Sequence, residues 1–292
     1  MKLFIELIKF LRYPKDEQYE ISFRQKLRIF GILLLFEIAI LCFLVYPIYE
    51  FVDYITPLRE SAVFEDYTLI TSILMLVLLV PLIEEFFFRY ILRYSGLVAI
   101  IVSRESWDKI FPYLVYILSL SFGIVHASNY DNNDTIYYIF IPFLFLSQIT
   151  GGLIISFIRV KLNFWWGVLF HSSWNLLFVI LFPLIVSLFD KPFVQEDNRY
   201  SLVIEEVPFF KSNNPKILQI KNQNDTIYLI SLKQQSFQSV LDTLYGKGSY
   251  YTDPILINLS LQSEKGILKN ELLNVIKDEY DIISLETLKK IK

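Results

Sequence analysis

The chain has 292 residues, a formal net charge of −3, 54% hydrophobic residues and 17% aromatics. With so small a charge and no basic stripe interleaved with aromatics, nucleic-acid binding is not indicated; the apolar content, concentrated in the first two thirds, places the chain among membrane proteins. Cys42, the only cysteine, cannot form an intrachain disulfide, and the absence of CxxC, HExxH and EF-hand patterns removes the commonest metal signatures.

The first segment, Met1 to about Arg28, is basic and amphipathic, carrying Lys2, Lys9, Arg12, Lys15, Arg24, Lys26 and Arg28. It reads as an interfacial helix on the cytoplasmic leaflet, and the apolar run behind it is too long for a cleavable signal. A spanning helix needs about 20 mainly apolar residues. Ile29–Tyr49, Tyr67–Phe88 (continuing towards Leu92), Phe111–Ser128, Ile136–Ile158 and Phe164–Phe189 meet that length, whereas Leu97–Val102 is too short to cross. Together they make a helical membrane domain over residues 29–190.

Loop charge sets the expected orientation. Arg24, Lys26 and Arg28 precede the first span, and Arg89, Arg93, Arg104, Lys109, Arg159 and Lys161 mark later inner turns. The loop from Phe51 to Asp66 is acidic (Asp53, Glu60, Glu65, Asp66), and Asn129–Asp134 has no basic residue. This alternation predicts a cell-membrane protein with a cytoplasmic N-terminus and an extracytoplasmic C-terminal domain. Trp165 and Trp166 fit an interfacial aromatic belt.

From about residue 191 to 292 the composition turns charged and mixed. Lys216–Lys221 and Thr226–Leu232 read as a hairpin, Phe237 to Leu244 as a helix ending near Gly246, Ile255 to Leu261 as a strand, and Leu268 to Ile276 as a second helix. The expectation is a small soluble α+β domain. Lacking histidine and cysteine, it fits a binding or regulatory module for a protein partner better than a second enzyme.

Chemistry-bearing residues are concentrated in the apolar segments. Ionisable groups within lipid cost several kcal/mol, roughly 2.5–3.5 on insertion scales, and therefore point to function. Glu85 and Arg89 lie one helical turn apart in the favourable acid-then-base order. Glu84 points about 100° away from Glu85, free to face a cavity as a general base. Phe122 and His126 share one helix face, as do His171 and Asn175, and an imidazole with an amide can hold a developing oxyanion. Gly123, Gly152 and Gly167 would let helices approach closely. Each histidine alone would read as an interhelical hydrogen-bonding group, and Glu37 in the first span reads as a packing or gating residue. Glu84 falls late in its span and His126 late in one running the other way. They meet only if the second span runs past Arg89 or the third begins deeper than Phe111.

Glu84-Glu85-Phe-Phe-Phe-Arg89, Phe122-Gly-Ile-Val-His126 and His171-Ser-Ser-Trp-Asn175 together resemble the motif set of the CAAX protease and bacteriocin-processing (CPBP, or Abi) family of intramembrane endopeptidases. The resemblance covers about Leu82 to Leu177, including the approach through Gly152–Lys161, Asn163 and Trp165. It implies an all-α membrane bundle that hydrolyses a peptide bond of a membrane-associated protein or peptide. Glu84 would activate water, His126 position it, and His171 with Asn175 stabilise the tetrahedral intermediate, with Glu85, Arg89 and Phe122 in support. Metal use stays open. Glu84, His126 and His171 could ligate zinc by residue type, but a water activated by glutamate alone explains the same residues and is favoured. A non-catalytic immunity or scaffold protein and a proton-coupled transporter are the rival readings.

Overall fold

Helix starts along this chain coincide with residues able to cap them. After a short N-terminal helix, α1 (Lys2–Arg12), Ser22 and Gln25 form a reciprocal capping box ahead of α2 (Phe23–Ile55). Thr68 caps α3 (Leu69–Arg89), and the short α4 (Gly96–Ile101) follows. Ser103 caps α5 (Arg104–Asn129). Asp134 caps α6 (Thr135–Leu144), which breaks at Phe145 before α7 (Leu146–Lys161), and Asn163 caps α8 (Phe164–Phe189). Each such side chain satisfies a backbone N–H at the helix start, worth about 1 kcal/mol.

The computed structural model describes residues 2–61, 66–214 and 216–286. Its five helical stretches long and apolar enough to cross a membrane are α2, α3, α5, the α6–α7 pair and α8, so the chain is a multi-pass membrane protein. Of the acidic loop read between Phe51 and Asp66, residues 62–65 (Glu65 among them) lie outside the described residues, as do residues 287–292. Phe51–Ile55 belongs to α2 rather than to a loop.

The chain separates into two compact units, Met1–Leu58 with Leu74–Leu177, and Arg59–Ile73 with Phe178–Lys292. In the first unit α7 is central, packing on α1, α2, α5 and α8. The single N-terminal helix expected over residues 1–28 is instead α1, an extended stretch, and then the start of α2. The apolar face of α1 also has a protein partner: Leu7 and Phe10 are buried, Phe10 packs edge-on against Phe157, and Phe4 against Phe36 of α2. Trp166 departs from the aromatic-belt expectation too. It is buried against Phe23 and Phe30, leaving Trp165 exposed.

Each of α2, α3 and α8 contains π-helical turns (Leu41–Val45, Ile73–Leu79, Leu176–Leu181), and each has a proline shortly after them: Pro47, Pro81 and Pro183. A return from π to α register leaves a carbonyl without its helical partner, and a proline that lacks an N–H leaves another. In apolar surroundings such carbonyls need side-chain donors.

The second unit carries a five-stranded antiparallel sheet in the order β1-β2-β6-β4-β3. Its elements are β1 (Phe193–Asp197), β2 (Tyr200–Val207), β3 (Ile217–Gln223), β4 (Thr226–Ser236), α9 (Phe237–Tyr245), β5 (Tyr250–Tyr251), β6 (Leu256–Leu268), α10 (Lys269–Lys277) and β7 (Ile283–Ser284). Phe237, Val240, Leu241, Leu272 and Ile276 from the helices meet Leu202, Ile204, Ile230 and Leu259 of the sheet in one apolar core. Gly266 in β6 has φ +79°, and a Cβ there would collide with Thr226 Cγ2. Gly266→Ala is expected to destabilise this unit by about 2 kcal/mol through backbone strain and overpacking. At Gly248 φ is +75° with nothing within 4 Å, so Gly248→Ala should show the strain alone, about 1 kcal/mol. Thermal unfolding of the full-length variants checks the difference.

Candidate active site

The polar residues read from α3 and α8 converge. Arg89 donates through Nη1 to Glu85 Oε1 (2.9 Å), and the His171 Nδ1–H donates to the same oxygen (3.0 Å). On the other side of the imidazole, His171 Nε2 lies 3.5 Å from Glu84 Oε2. The result is a chain of alternating groups: Glu84 carboxylate, His171 imidazole, Glu85 carboxylate, Arg89 guanidinium. Glu85 and Arg89 are sealed, their side chains 1% and 0% exposed, whereas the Glu84 side chain keeps 24%. The 100° offset between neighbouring helix positions thus gives one carboxylate a structural partner and leaves the other accessible.

Phe122 of α5 binds this chain to His126. The Arg89 guanidinium sits 3.8 Å from the Phe122 ring centroid, a cation–π contact. The same ring packs edge-on against His126 (4.7 Å) and His171 (5.6 Å). His126 Nδ1 lies 2.8 Å from the Phe122 carbonyl, which can only accept, so Nδ1 carries a proton. In the neutral ring Nε2 is therefore an acceptor, and it has no hydrogen-bond partner among the described residues. α5 begins at Arg104, ahead of Phe111, and the Phe122–Arg89 contact brings this stretch of α5 against α3.

Asn175 is held at one point. Its Nδ2 donates to the Leu76 carbonyl (2.7 Å). That carbonyl lies where α3 returns from π to α register, and its π-register donor would be the N–H that Pro81 lacks. A second N–H remains on the amide.

Small residues make room for this packing. A Cβ on Gly152 would lie 2.9 Å from Arg89 Nη2, one on Gly167 3.6 Å from Glu85 Oε2, and one on Gly123 2.5 Å from the Ile149 side chain. Arg159 has a role that its charge alone did not reveal. It donates through Nε to the Arg89 carbonyl (3.0 Å) and through Nη2 to the Tyr90 carbonyl (2.9 Å), closing the C-terminal end of α3. Glu37 stands apart from this cluster, buried in α2 with Oε1 2.9 Å from Thr150 Oγ1. Among the described residues no group of three His, Cys, Asp or Glu side chains is arranged to hold a metal ion, and Glu84, His126 and His171 form no such set in these positions.

Fold and site together define a multi-pass membrane protein that encloses acid, imidazole and guanidinium groups between its helices. Residues 66–177 match the model of the family described as Type II CAAX prenyl endopeptidase Rce1-like, in agreement with the resemblance carried by the motifs. The match takes in every residue of the three motifs, and α1, α2 and the sheet lie outside it. Comparison with curated proteins and with solved structures gave no match.

Proposed function

We propose that the protein is an intramembrane endopeptidase that hydrolyses a peptide bond of a membrane-associated protein or peptide. The observation that carries this reading is the division of labour within the carboxylate pair, with Glu85 locked between Arg89 and His171 and Glu84 accessible beside the same imidazole. Glu84 takes a proton from water as the water oxygen attacks the carbonyl carbon, and the Nε2 lone pair of His126 orients that water. Because Nδ1 of His171 is committed to Glu85, its Nε2 can donate to the oxyanion only in the doubly protonated ring. The Glu85 carboxylate and the oxyanion then balance the Arg89 guanidinium and the imidazolium. The free N–H of Asn175 supplies the second donor. Collapse of the tetrahedral intermediate breaks the C–N bond, and the leaving amine recovers the proton from Glu84.

Loop charges support a cytoplasmic N-terminus, and an odd number of spans then carries the C-terminal domain to the other side, where it would engage a protein partner. The proposal is tested by reconstituting the full-length protein with membrane-anchored peptides, prenylated and unprenylated, and mapping new termini by mass spectrometry. Defined cleavage supports the reading. A folded protein that generates no new terminus in these peptides or in the membrane proteome would favour a scaffold, and proton-coupled uptake without cleavage a transporter.

The Asn175–Leu76 hydrogen bond gives a subtler expectation. Pro81→Ala restores an N–H that competes for the Leu76 carbonyl and releases the Asn175 amide. Cleavage is expected to slow about tenfold to a hundredfold, the scale of a misplaced catalytic group, with an unchanged or higher unfolding temperature. Single-turnover rates beside thermal unfolding measure both.

A further inference from the structure

A polar cavity lies far along α7 from Gly152, where the last turn of α7 meets the last turn of α1. It measures about 520 Å³, and its lining includes Lys9, Arg12, Lys15 and Lys161 against two carboxylates, Glu6 and Glu17. Glu6 is already engaged, by Lys9 at 3.2 Å and by the Tyr19 hydroxyl at 3.4 Å. Lys161 is the unusual member. Its side chain is only 7% exposed, yet its ammonium has no acceptor within hydrogen-bond distance: the Glu17 carboxylate stands 3.7 Å away and the Tyr19 ring centroid 5.1 Å. The ammonium lines the cavity, paired with Glu17 alone among the described residues, and carries three N–H donors. Arg12 and Lys15, exposed at the mouth, make no ion pair among the described residues.

We propose that this cavity binds the phosphate of an anionic phospholipid headgroup. The surplus positive charge suits a phosphodiester, whose oxygens would add hydrogen-bond acceptors to the Lys161 ammonium beside its ion pair with Glu17. The surroundings favour a lipid over a free anion. Near one end of α1 Phe4 packs on Phe36 within the α2 span, and at the other Arg12 closes its last turn. Ile8 and Ile5 lie exposed between these ends, at 63% and 44%, and offer acyl chains a path away from the headgroup. Basic pockets beside membrane helices recognise anionic headgroups through this combination of fixed charge and adjacent apolar surface. A lipid seated here ties α1 to the end of α7.

The test uses full-length protein in detergent at fixed ionic strength, so that screening is constant. Dioctanoyl phosphatidylglycerol, dioctanoyl phosphatidylcholine and inorganic phosphate are added in turn while thermal unfolding is followed. Phosphatidylglycerol is expected to raise Tm saturably and phosphatidylcholine to leave it unchanged. Arg12→Ala/Lys15→Ala should weaken phosphatidylglycerol binding about thirtyfold, the factor two charges contribute near a membrane surface, with no change in lipid-free Tm. Lys161→Met should abolish the saturable effect. An equal response to phosphatidylcholine, or a phosphatidylglycerol response untouched in the double variant, overturns the proposal. A response to inorganic phosphate equal to that with phosphatidylglycerol retains the phosphate site and overturns lipid as its source.

Discussion

Glu84→Gln is expected to reduce peptide cleavage on the order of 10³-fold while leaving the unfolding temperature within a degree or two of wild type. The factor is that of removing a general base, which the isosteric amide cannot replace. Stability should hold because the Glu84 side chain is partly exposed and its contact with His171 Nε2, at 3.5 Å, is a long one for an ion pair or hydrogen bond. Glu85→Gln should behave in the opposite order. That substitution neutralises the group on which both Arg89 and His171 converge, so the protein loses stability first and activity as a consequence. Parallel measurement of single-turnover rate and Tm for the two variants separates the roles. An active Glu84→Gln beside a stable, inactive Glu85→Gln would reverse the assignment of base and structural partner.

Helical spacing made much of the site legible. Glu85 with Arg89 and Phe122 with His126 each share a face, and both pairs meet as that spacing implies. Features that depend on contacts between distant segments were not legible. Arg159 looked like a marker of an inner turn because its true partners are backbone carbonyls, which have no signature in sequence. The Pro81–Leu76–Asn175 relation likewise depends on a π turn, and apolar residues alone do not announce a change of helical register. In the sheet, the β3–β4 hairpin and both helices followed their periodicities, but β1 and β2 escaped notice. Tyr200, Leu202 and Ile204 do alternate inward, yet Glu205 and Glu206 break the pattern, and β1 is almost wholly exposed.

Arg89→Leu is expected to be the most destabilising single change in the membrane unit, by about 3–5 kcal/mol, the cost of stranding one member of a buried ion pair. The guanidinium is fully enclosed. Only Nη1 reaches an acceptor, while Nε and Nη2 find no hydrogen-bond partner among the described residues and rely on the face of Phe122. Removing Arg89 leaves the Glu85 carboxylate at 1% exposure with the imidazole alone to compensate it, and opens space beside Gly152. The double variant Glu85→Leu/Arg89→Leu removes both charges together and should recover most of the lost stability, since an apolar pair of similar volume is often as stable as the buried ions it replaces. Activity should not return with it. His171 would then have no acceptor for Nδ1–H, its ring would lose its fixed orientation, and Nε2 would no longer be held beside Glu84. A folded, inactive double variant would place the Glu85–Arg89 pair behind the imidazole as its support. A double variant that cleaves at the wild-type rate would remove the pair from the mechanism, and one as unstable as Arg89→Leu would show that the packing around Phe122 and Gly152, rather than charge, holds these helices together.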